Sequence, residues 1–178
     1  MVDFIQTFQL DEALVDFIMS NLTIEETENI NSFPVEIPEI HRPMTGIIHE
    51  YVKQIEEYNY FPRIDESTIV FETGIKFIPK WTTVNYRPEP GRMLNFYVFL
   101  KDTKAVLDIF NPFIPGNFVC RPIKGLVVVF PAIWMIVYKF SSTLDSTACF
   151  IMGTTYINDL DDMQESGSSN VITETTFS

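Results

Sequence analysis

From residue 61 onward the chain is built almost entirely of short runs rich in β-branched and aromatic residues. They are "STIVFETGIKF", "RMLNFYVFLKD", "AVLDIF", "NFVCRPI", "GLVVVFP", "WMIVYKF" and "TACFIMGTTYI". Side chains of this kind lose rotamer freedom in a helix and pack well on a pleated surface. Pro, Gly, Asn and Asp separate the runs, and each favours a turn for its own backbone reason. Seven such segments at this spacing predict a β-sandwich or barrel.

The first 60 residues have a different period. "FQLDEALVDFIMSNL" places Leu10, Leu14, Phe17, Ile18 and Leu22 at helical spacing, with Asp and Glu in the first turn. "MTGIIHEYVKQIEEY" puts Met44, Ile47, Ile48, Tyr51, Val52, Ile55 and Tyr58 on one face, which predicts a second amphipathic helix. Between them "TIEETENINSFPVEIPEIHRP" is polar and contains Pro, so it reads as a long loop. The final segment, "NDLDDMQESGSSNVITETTFS", is acidic, then Gly/Ser-rich, then Thr-rich, the composition of a flexible tail. The organisation expected is a single domain: a helical part over 1–60 packed on a sheet, a β core over 61–157, and a tail over 158–178.

At 178 residues the chain is long enough for one real core, and no stretch approaches the ~18 uninterrupted apolar residues of a membrane span. The opening "MVDFIQTFQL" has no basic n-region or small-residue cleavage site, so secretion by a signal peptide is not expected. A formal charge of −12 argues against nucleic acid or an anionic membrane as main partner, because both reward clusters of Lys and Arg. Sixteen Phe residues point to an aromatic-rich β core or an adhesive partner surface. Cys120 and Cys149 each lie in an apolar run and read as small core residues, consistent with a reducing compartment.

Recognisable catalytic patterns are scarce. His41 in "EIHRP" and His49 off the apolar face of the second helix have no Asp, Glu or Cys at a recurring ligand spacing. There is no Gly-rich phosphate loop and no G-x-S-x-G elbow. The acidic clusters "IDES" and "NDLDD" lack the alternating oxygen ligands, Gly and closing Glu of a calcium loop, and read as solvated. The β half contains no His.

Four phrases nonetheless occur in a telling order between Ile69 and Ile157. They are Lys80-Trp81 after a strand, "RMLNFYVFLKD" over Arg92–Asp102, "RPIKGLVVVFPAIW" over Arg121–Trp134, and "FIMGTTYI" over Phe150–Ile157. In this order the chain resembles the iron(II)/2-oxoglutarate-dependent oxygenases of the prolyl-hydroxylase type, and in particular their tailed-phage, cyanophage-like relatives. The resemblance implies an α+β, mainly β fold: a double-stranded β-helix, or jelly roll, preceded by two amphipathic helices. It also implies where the working residues should stand. After the Trp the family has His-x-Asp/Glu, and this chain has Thr82, Thr83 and Val84. The second His falls at Tyr138, or at Ile136 in an alternative register, and the basic residue that anchors the co-substrate falls at Ala148.

Thr, Val, Tyr and Ala cannot replace two imidazoles, a carboxylate and a cation in a facial iron site. The expectation from sequence is therefore no metal, no cofactor and no enzymatic activity. It is a jelly roll acting as a structural or interaction subunit among other proteins, in a tailed-phage virion (neck, tail or baseplate) or in the host cytoplasm. Two alternatives stand beside it: an iron(II)/2-oxoglutarate dioxygenase with an unconventional site, and a non-catalytic small-ligand binder.

Overall fold

A computed structural model of the chain describes residues 4–22, 31–56, 69–78, 83–86, 93–110, 117–132, 138–141 and 148–157. Two helices and ten strands lie within them. In chain order these are β1 (Gln6–Gln9), α1 (Glu12–Asn21), β2 (Asn31–Pro34), α2 (Pro38–Glu56), β3 (Ile69–Ile78), β4 (Thr83–Tyr86) and β5 (Leu94–Phe99). They continue with β6 (Val106–Phe110), β7 (Asn117–Cys120), β8 (Leu126–Pro131), β9 (Tyr138–Ser141) and β10 (Ala148–Ile157).

α1 begins where Asp11 caps it, its Oδ1 accepting hydrogen bonds from the amides of Ala13 at 2.7 Å and Leu14 at 3.3 Å. Its buried residues are Val15 and Ile18, with Leu14, Met19 and Leu22 partly buried beside them. Phe17 is 54% exposed, which corrects the face expected from sequence. At ~100° per residue, Phe17 lies about 200° round the helix from Val15, on the far side. α2 is longer than expected and starts inside the segment read as a loop. Pro38 occupies its first position, where the missing N–H is no loss and the fixed φ suits a helix. Ile40, Met44, Ile48, Tyr51 and Ile55 follow at spacings of three and four, and all are fully buried. The Tyr51 hydroxyl donates to the Phe4 carbonyl at 2.6 Å, tying the helix to the chain's first described residue.

The strands form two antiparallel sheets. One has six strands in the order β1-β8-β5-β10-β3-β2, the other four in the order β4-β9-β6-β7. From β3 onward the chain passes back and forth between them: β3, β5, β8 and β10 belong to the larger sheet, and β4, β6, β7 and β9 to the smaller. β1 and β2, both from the first 60 residues, complete the two edges of the larger sheet. β1, β2 and β4 are additions to the seven strands read from sequence.

The central strand β5 and the first part of β10, Ala148–Ile151, are buried on both sides, so the six-stranded sheet has two cores. Alternate residues Leu94, Phe96, Val98, Val127, Val129, Cys149 and Ile151 join the helix residues in one cluster. Their neighbours Tyr97, Phe99, Val128, Phe130, Ala148 and Phe150 join Leu107 and Ile109 of the smaller sheet in the other. Period-two alternation sorts these side chains, one set against the helices and one between the sheets.

Two glycines show what the packing tolerates. Gly153 stands opposite Phe96 in the β10–β5 register, and a Cβ there would lie within the Phe96 ring. Gly46, on α2, is exposed and has nothing within 4 Å of an added Cβ. Gly46→Ala should therefore raise stability by up to ~1 kcal/mol through helix propensity, whereas Gly153→Ala should lower it by ~2 kcal/mol or more through overpacking. Urea denaturation of the two variants measures both, and equal effects would contradict this packing.

Candidate functional site

The positions singled out in the sequence divide between the two sheets. Val84 lies on β4 and Tyr138 on β9, adjacent strands in the four-stranded sheet, with Val84 opposite Phe140 and Tyr86 opposite Tyr138. Ala148 is the first residue of β10 in the six-stranded sheet, opposite Ile78. Thr82 and Ile136 lie outside the described residues. The backbone thus brings Val84 and Tyr138 within two residues of register on neighbouring strands, with Ala148 on the facing sheet.

Ala148 is 0% exposed and belongs to the cluster between the sheets. Aromatic rings fill that cluster. Tyr97 meets Phe150 edge-on at 5.2 Å between centroids and Phe130 at 5.6 Å, and Phe99 meets Phe150 at 5.5 Å. These separations lie within the range of favourable ring contacts. A charged ligand placed among these rings would lose its hydration, which costs free energy unless a partner replaces it.

The histidines stand elsewhere. His41, read as part of a loop, lies in α2 because the helix starts at Pro38. Its ring stacks on Phe71 at 5.3 Å and 14°, and Phe71 meets Phe96 at 6.1 Å. Phe71 and Phe96 belong to the helix-side core, so His41 and Ala148 are on opposite faces of the six-stranded sheet. His49 is exposed on α2, as its place off the apolar face predicts. Among the described residues no group of three or more His, Cys, Asp or Glu is placed to hold a metal.

The cysteines behave as core residues. Cys149 is buried on the helix side, and Cys120 is half-buried on β7 against the cluster between the sheets. Burial raises the Cys120 thiol to about 11, so at neutral pH it stays protonated and is a poor nucleophile. The sequence reading missed the Lys124–Asp16 ion pair, 2.7 Å long, which ties the turn before β8 to α1. The hydrogen bond that the Lys124 ammonium donates to Asp16 raises the Lys124 pKa and keeps the group charged. No described helix is long and apolar enough to cross a membrane.

No family model and no curated protein matches the sequence. The fold, by contrast, matches solved structures closely. A Pseudomonas putida prolyl-4-hydroxylase superposes with a TM-score of 0.60 at 14% identity, over 87% of this chain and 93% of that one. The viral collagen prolyl hydroxylase of Paramecium Bursaria Chlorella virus-1, solved as a 2OG complex, gives 0.55 at 10%, over 87% and 97%. The Trichoplax adhaerens prolyl hydroxylase, in complex with a hypoxia inducible factor oxygen degradation domain peptide fragment, gives 0.61 at 9%, over 93% and 87%. The chain therefore has a mainly β fold, two helices and antiparallel sheets, similar to that of the 2OG-Fe(II) oxygenases. The expectation of a chain that is not an enzyme is corrected by these similarities. The three solved proteins named above, which superpose over most of both lengths, are prolyl hydroxylases, and identities of 9–14% bear on the fold alone.

At the positions that the sequence resemblance assigns to the iron ligands and the co-substrate anchor, the residue types differ from the family's. Thr82 and Val84 offer no imidazole or carboxylate, and Ala148 offers no cation. The described surroundings of Ala148 are apolar. Ala148→Arg should lower stability by ~3 kcal/mol or more, the cost of an unpaired buried charge. Chemical denaturation measures this, and an unchanged midpoint would show that the interior supplies a carboxylate or water to that position.

Proposed function

We propose that this chain is an oxygenase of the prolyl-hydroxylase type with an unconventional site. The observation that carries the reading is the superposition on prolyl hydroxylases over most of both chains. In this reading the two interleaved sheets are the double-stranded β-helix of that class, with α1 and α2 packed on its larger sheet. The sequence phrases that resemble phage relatives fall on β5, β8 and β10, the central strands of that sheet.

The site differs from the family's at four positions. Thr82, Val84, Tyr138 and Ala148 stand where the resemblance places two His, a carboxylate and a cation. Any iron would need ligands other than these, so no reaction step is drawn through it. What the described residues contribute is an apolar interior. Tyr97, Phe99, Phe130 and Phe150 are buried together between the sheets, and electrostatic interactions beside such apolar rings are stronger than in solvent. The similarity to catalytic proteins favours this reading over a particle subunit or a non-catalytic small-ligand binder.

Succinate release from 2-oxoglutarate, measured with Fe(II), ascorbate and proline-containing peptides, tests the proposal. Iron-dependent succinate above the protein-free rate is the expected result. No succinate at saturating iron and co-substrate would overturn it.

A further inference from the structure

We draw no further inference here: the strongest candidate, the buried Asn95 of β5 opposite Thr154 of β10, on the same face of the larger sheet as Tyr97, belongs to the site between the sheets already described.

Discussion

Strand β5 and the first part of β10, Ala148–Ile151, are buried on both faces, and the layers on either side are arranged around that fact. A strand in this position cannot alternate apolar and polar residues, because neither side meets water. It must also pack without a gap against two different layers. On the helix side this is achieved at Gly153, where the lack of a Cβ admits the Phe96 ring between the strands. On the other side it is achieved by rings: Tyr97, Phe99, Phe130 and Phe150 interlock between the sheets. The helices bury their apolar stripes on the first face, and the smaller sheet covers the second.

This arrangement limits what a site between the sheets can be. Ala148 opens β10 at a place where an anchoring cation would stand in a prolyl hydroxylase by the sequence resemblance. A small apolar residue there continues the apolar cluster rather than interrupting it. His41 stands away from that cluster, because its stacking on Phe71 places it on the helix side of the sheet. The fold is similar to that of the 2OG-Fe(II) oxygenases, and the residues at the positions expected from the sequence resemblance differ in type from the family's. An unconventional site is the reading that accommodates both.

Much of this was legible in the sequence because the relevant forces are local. The seven β-rich runs after residue 61 became strands, and the Met44-to-Ile55 stripe became the buried face of α2. The order of four short phrases pointed to the oxygenase fold before any sheet was seen. What was not legible depends on partners distant in sequence. β1, "QTFQ", and β4, "TVNY", are short and mixed in polarity, and they are strands because β8 and β9 pair with them. The first helix was read with Phe17 on the same face as Ile18, and packing instead buries Val15 with Ile18 and leaves Phe17 exposed. His41 looked like a loop residue because Pro38 and Pro43 flank it, yet Pro38 starts the helix and Pro43 is accommodated within it. The Lys124–Asp16 ion pair was invisible because its partners are distant in sequence and meet only on folding.

The central claim is that β5 and the first part of β10 form the doubly buried axis on which both cores depend. Native-state amide hydrogen exchange, read strand by strand, tests it most directly. The account predicts that the slowest amides belong to β5 and β10 and exchange only through global unfolding, with β4 and β7 exchanging by local opening. If the slowest amides lay instead in the four-stranded sheet, or if β10 exchanged by local opening, the account would be contradicted.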